Sequence, residues 1–172
     1  MKIHELQREL WLPRTLTEIF PFFADATNLG TLTPPWLNFR ILSPRPIPMR
    51  VGTLIDYRIV VHGILFRWQS EITVWEPPHR FVDEQRRGPY RIWRHEHRFA
   101  ESDGGTMLSD RVQYAVLFDP LVHRWLVRPD IERIFAFRTK KMRELFRGAI
   151  PEASRSWHEL LACEFPAAQS PA

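Results

Sequence analysis

His95 and His97, two positions apart, and Asp110 are the residues whose types and spacing could do chemistry. In an extended segment alternate side chains share a face. Over residues 90–100 one parity holds Trp93, His95, His97 and Phe99, and the other holds Ile92, Arg94, Glu96 and Arg98. The charged parity belongs in water, so the Trp-His-His-Phe row faces inward. Over 106–116 the apolar parity holds Leu108, Val112, Tyr114 and Val116, and Asp110 interrupts it. A buried carboxylate needs partners. Asp103-Gly104-Gly105 is a hairpin signal. A four-residue loop over Ser102–Gly105 pairs Phe99 with Leu108, His97 with Asp110 and His95 with Val112. Three uses of a His97–Asp110 pair stay open: a structural hydrogen bond, a polar anchor for a ligand's carbonyl or hydroxyl, and an acid–base dyad.

Two histidines on one strand face could also chelate a metal. Asp83 and Asp110 are the only third candidates, and neither has a recognisable ligand spacing, so no metal is expected. Asp83 and Gln85 share a parity with Phe81; a five-residue loop over 86–90 turns that row inward opposite Trp93, and a four-residue loop turns it outward. There is no glycine-rich phosphate loop, no nucleophile elbow and no Cys–His pair. No catalytic residue and no cofactor can be named.

The elements around these residues are legible in outline. Residues 3–12 read as a strand stopped by Pro13. Thr15 and Glu18 match a capping box ahead of Leu16, Ile19, Phe20 and Phe23 at helical spacing. A second helical turn from Thr27 or Asn28 ends at Pro34-Pro35. Strands follow over 37–42, 53–62, 65–75, 80–85, 90–100 and 106–116, with Phe66, Trp68, Ile72 and Val74 on one face of the third. Such close spacing implies an antiparallel meander. A short amphipathic stretch over 120–128 precedes a long helix from Pro129 or Asp130, whose face carries Ile131, Ile134, Phe135, Arg138, Met142, Leu145 and Phe146. Gly148 is the expected cap. Residues 149–172, rich in Ala, Ser and Pro, read as a loose tail.

The wording between these elements is more specific. The chain carries LTPPW at Leu32–Trp36, WEPP at Trp75–Pro78, FVDEQ at Phe81–Gln85, GPY at Gly88–Tyr90, WRHEH at Trp93–His97 and GGT at Gly104–Thr106. In order and spacing these resemble the START-like, or SRPBCC, superfamily, and within it the bacterial polyketide cyclase/dehydrase-like and ubiquinone-binding START-like proteins. The resemblance spans residues 3–147. It implies an α+β helix-grip fold over residues 1–148, a curved antiparallel sheet wrapped around the C-terminal helix with a cavity between them. Members hold lipids, hormones, quinones or polyketides, and only some are enzymes. The expected cavity wall is Trp36, Tyr57, Trp68, Trp93, His95, His97, Asp110, Tyr114, Trp125 and Phe135. The leading expectation is a binding protein for an apolar or aromatic small molecule. Its competitors are a cyclase or dehydratase using His97 and Asp110, and an accessory domain working with an oxidoreductase partner.

Composition narrows the partners. Net charge is +4, carried mostly by arginine, and no basic tract interleaves with stacking aromatics, so no nucleic acid is expected. Arg138, Lys140, Lys141, Arg143 and Arg147 read as a solvated face at the end of the last helix, which would also suit transient contact with an anionic membrane. Cys163 is the one cysteine, and the start MKIHELQREL has no apolar signal region, so a cytoplasmic protein is the expectation.

Overall fold

A computed structural model describes residues 1–117 and 121–147. Seven strands form one antiparallel sheet: β1 (His4–Leu12), β2 (Arg40–Ile41), β3 (Leu54–Val61), β4 (Ile64–Glu76), β5 (Arg80–Arg87), β6 (Ile92–Ser102) and β7 (Gly105–Ala115). Their order across the sheet is β1-β7-β6-β5-β4-β3-β2, so β2 to β7 run as a meander and β1 adds to the last strand. The expected strand over 37–42 shrinks to two residues, because Pro35–Leu37 forms a 3₁₀ turn instead.

The β6–β7 hairpin fixes the register that matters most. Asp103 and Gly104 both have positive φ, 49° and 72°, the signature of a tight turn whose twist matches its strands. A Cβ on Gly105 would collide with the Leu12 carbonyl oxygen and the Trp11 ring, so only glycine fits there. Phe99 pairs with Leu108, His97 with Asp110 and His95 with Val112, as the hairpin reading requires. Between β4 and β5 the register shifts twice. The second irregularity puts Val74 opposite Val82 and turns Trp75 into the core with Phe20 and Phe81, so the inward row expected to run through Val74 switches parity there.

Helix α1 (Leu16–Phe23) starts at the expected capping box: the Thr15 amide and hydroxyl both donate to Glu18 Oε2, at 2.9 and 2.8 Å. A 3₁₀ turn (Ala26–Asn28) and the one-turn α2 (Leu29–Leu32) follow. The last helix begins earlier than Pro129. Helical residues 121–122 lead through a π-helical turn (His123–Val127) into α3 (Arg128–Leu145), with Pro129 at the second residue of α3, next to the π-helical turn. Ile131, Phe135, Arg138 and Met142 form the buried stripe of α3. Leu145 does not continue it and is 43% exposed. Phe146 takes the inward place at the helix end and meets Phe22 edge-on at 5.5 Å. The expected Gly148 cap and the 149–172 tail lie outside the described residues.

The core has two apolar halves. One gathers α1, Leu108, Phe99, Ile72 and Met142; the other gathers Val112, Tyr114, Ile131 and Phe135, with Trp93 against it. The order along three elements is the same. Trp93 then Phe99 on β6, Val112 then Leu108 on β7, and Phe135 then Met142 on α3 each pass from one half to the other. The residues between them are His95, His97, Asp110 and Arg138.

Candidate functional site

These four residues form a buried polar layer with Asp83, which β5 places opposite His95. Asp83 therefore faces inward, paired with His95 rather than with Trp93 as a five-residue loop over 86–90 would have it, a register shift of two residues. Asp110 is the hub. Its Oδ1 lies 3.0 Å from His95 Nε2 and 2.8 Å from His97 Nδ1, and its Oδ2 lies 3.4 Å from Arg138 Nε. A carboxylate oxygen that close to two ring nitrogens requires a hydrogen on each of them. This assigns Nε2–H on His95; on His97, Nδ1 faces Asp110 and also lies 3.4 Å from Arg138 Nη2, while Nε2 is hydrogen-bonded to Asp83, so both of its nitrogens bear a hydrogen when the ring is protonated. The remaining ring nitrogens both face Asp83: His97 Nε2 is 3.2 Å and His95 Nδ1 3.8 Å from its Oδ2.

The electrostatics follow from burial and this wiring. Burial pushes the Asp110 carboxyl up, but Arg138 and the two imidazole hydrogen bonds outweigh it and hold the group well below the usual range. Asp83 behaves likewise: burial opposes ionisation, while the His97 hydrogen bond and the charges of His95, His97 and Arg138 lower its pKa. The histidines diverge. For His97, burial is outweighed by hydrogen bonds to Asp110 and Asp83, and its pKa is raised. For His95, burial and the neighbouring His97 charge prevail, and its pKa is lowered. Of the pair, His97 is therefore the imidazole that keeps its proton to higher pH.

His97, Asp83 and Arg138 reach the wall of a cavity of about 60 Å³. Its other walls are mostly apolar and come from the sheet (Ile55, Ile72, Phe81), from α1 and α2 (Phe23, Leu32) and from Met49, with Asp25 and Asn28 at the 3₁₀ turn. Tyr57 and Ser70 add hydroxyls, which meet at 3.3 Å. Burial and then the Asp83 charge push the Tyr57 phenol well above its ordinary value, so it stays neutral. Among the described residues, Arg138 Nε is the one buried side-chain atom without a hydrogen bond; its 3.4 Å contact with Asp110 is a charge contact only.

The residues expected to line the cavity divide four ways. Tyr57 and His97 do line it. His95 and Asp110 stand behind His97 in the polar layer. Trp68, Trp93 and Tyr114 instead pack together with Tyr90 in an aromatic group, and Phe135 packs against His95. Trp36 and Trp125 are displaced altogether. Trp36 is 50% exposed, its ring edge on Phe137 and Arg133 over its face, because the 3₁₀ turn lies outside the grip. Trp125 is 68% exposed in the π-helical turn, under Arg124. The reading of Arg138 as part of a solvated face is also corrected: it is 8% exposed and bound into the polar layer. Its signal was in the sequence, since it occupies the inward helical step between Phe135 and Met142.

The expectation of no metal rested on the lack of a third ligand with a recognisable spacing, and the fold brings Asp83 beside the two histidines. Asp83, His95 and His97 each offer a ligand atom, all within 4.8 Å of one another. No helix among the described residues is long and apolar enough to cross a membrane.

The fold recurs in solved structures. A Zhui aromatase/cyclase from a Streptomyces species superposes with TM-score 0.66 at 15% identity, over 91% of this chain and 96% of that one. A norcoclaurine synthase point mutant of Thalictrum, bound to a transition-state analogue, gives 0.59 at 13%, over 83% and 96%. A major latex-like protein from Panax ginseng gives 0.62 at 9%, over 85% and 99%. Such identities show the shared helix-grip fold and nothing finer. A search of curated proteins gives no match. Residues 12–142 match the family described as polyketide cyclase / dehydrase and lipid transport, and with three quarters of its length inside that match the chain belongs to this family.

Proposed function

We propose that the protein binds an apolar, ring-containing small molecule bearing one oxygen function, with its rings among Ile55, Ile72, Phe81 and Leu32 and its oxygen at Arg138 and His97. The observation that carries this reading is the wall itself: an apolar cavity ending on a polar layer in which a buried Arg138 N–H has no hydrogen-bond partner. An unpaired donor is costly in such surroundings, and a ligand oxygen would satisfy it. Membership in a family described by polyketide cyclisation and lipid transport agrees with this ligand chemistry.

Size sets a condition. A cavity of roughly 150 Å³ holds benzene, and this one is about 60 Å³. Entry of one ring therefore requires part of the wall to move. The weakest part is the run of single-turn helices over 26–32, which has little internal hydrogen bonding to hold it.

The test is calorimetric titration with 2-naphthol and with naphthalene. Binding of one 2-naphthol per chain, several-fold tighter than naphthalene and weakened in His97→Gln, supports the reading. Equal binding of the two, or none, contradicts it. A second reading, proton transfer on the bound molecule, is favoured by one observation: His97 reaches the cavity beside Asp83 while held between two carboxylates.

A further inference from the structure

We propose that Asp83, His95 and His97 form a site for one divalent first-row transition-metal ion, with an open coordination position facing the cavity. The inference rests on the cavity reading only for what fills that open position.

Asp110 can take one N–H from each imidazole, which with a metal bound leaves a lone pair on His95 Nδ1 and, once the proton shared with Asp83 has gone to solvent, on His97 Nε2. Both nitrogens face Asp83 Oδ2, at 3.8 and 3.2 Å. Ligand atoms about 2.0–2.2 Å from a tetrahedral ion stand roughly 3.3–3.6 Å from each other. Two of the three separations bracket that value and the third is at most 4.8 Å, so an ion could be taken up with modest side-chain shifts. Two imidazoles and one carboxylate on one side of an ion, with the other side open, is a donor set suited to zinc or ferrous iron.

The surroundings are those of a metal site. Imidazole ligands ordinarily donate their far N–H to a carboxylate that orients the ring, and here one carboxylate serves both rings. Arg138 stands on the Asp110 side and neutralises that carboxylate. Asp83 and His97 line the cavity, so the open position faces ligand space. With Asp83 and Asp110 ionised, Arg138 charged and both imidazoles neutral, a divalent ion leaves one excess positive charge. An anionic oxygen, such as a phenolate, enolate or hydroxamate, would cancel it. The site therefore favours ligands with an acidic hydroxyl over simple ketones.

The experiment uses the full chain without an affinity tag, treated with chelator and dialysed, then titrated with cobalt(II) chloride. One equivalent should bind and give visible ligand-field bands, which acetohydroxamic acid should shift by occupying the open position. Asp83→Asn and His95→Gln should weaken cobalt binding at least about tenfold, while His62→Gln, at a surface ion pair, should not change it. If His95→Gln does not fold, Asp83→Asn, which keeps the side chain's size, carries the comparison. Absence of bands, bands unchanged in Asp83→Asn, or bands insensitive to hydroxamate would overturn the proposal. Titration of the metal-free protein with 2-naphthol separates the two readings. Naphthol binding without cobalt binding sinks the metal site alone. Cobalt binding without naphthol binding upholds the metal site and sinks the cavity reading.

Discussion

Asp110 and Arg138 meet between the two apolar halves of the core, Oδ2 of one 3.4 Å from Nε of the other, with both side chains at least nine-tenths buried. Neither could sit there alone, because a buried charge without its partner has lost hydration and gained nothing. Asp110→Ala removes the partner of Arg138 and the acceptor for both imidazoles. It should cost about 3–5 kcal/mol in urea denaturation. Asp110→Asn keeps one acceptor oxygen and should cost less. Equal and small losses would show that the polar layer is not held by Asp110.

The pH dependence follows from the same layer in metal-free protein. Asp110 ionises well below 3.8 when folded and near 3.8 when unfolded. On acidification the unfolded chain takes up this proton first, so the stabilisation is present above about pH 4 and lost as pH falls through the folded value. Asp83, also lowered, adds to this loss. His97 acts oppositely: its raised pKa gives stability that is full below 6.5 and fades as pH rises through the folded value. His95, lowered, gives stability present above 6.5 and lost as pH falls. Near neutrality the two histidines oppose each other. Stability measured by urea melts should thus vary little around pH 6.5 and drop steeply in acid, and Asp110→Asn should flatten the acid limb.

Ile72 lines the cavity and is almost fully buried. Ile72→Ala should destabilise the fold by about 2–5 kcal/mol and enlarge the cavity. Because the present volume is too small for a ring without movement, the variant should bind 2-naphthol more tightly while melting at lower temperature. Calorimetry beside thermal melts checks both directions, and weaker binding would place the ligand elsewhere.

Trp36 and Trp125 lie outside the grip, so Trp36→Phe and Trp125→Phe should leave 2-naphthol affinity within about twofold, since surface changes away from a site are worth only a few tenths of a kcal/mol. Trp125→Phe should also remove much of the emission that acrylamide quenches, given its exposure. A large loss of affinity in either variant would show that the ligand contacts the outer surface.

The β6–β7 register was legible because two signals agreed there. The Asp103-Gly104 turn and the apolar rows of both strands demand the same pairing, and a slip of one residue would expose either row. Asp83 was ambiguous because β5 has no comparable turn: the connection after it lacks a fixed length rule, and its parity follows from the paired strands. Val74 was misplaced because an irregularity inside β4 changes parity without any glycine or proline to mark it. Arg138 was misread through chemistry. Lys140, Lys141 and Arg143 surround it in sequence, and only the 3.6-residue period sets it apart from them. Trp36 and Trp125 were drawn into the cavity by their size, although large aromatics in short helical turns also stay at the surface.

The central claim, that the ligand lies between sheet and helices against the polar layer, is tested most directly by methyl NMR of the chain titrated with 2-naphthol. The account predicts saturable shifts, at one ligand per chain, for the methyl groups of Leu32, Met49, Ile55 and Ile72, and none for Leu121 or Leu126. Shifts confined to Leu121 and Leu126, with the cavity methyls unmoved at saturation, would contradict it.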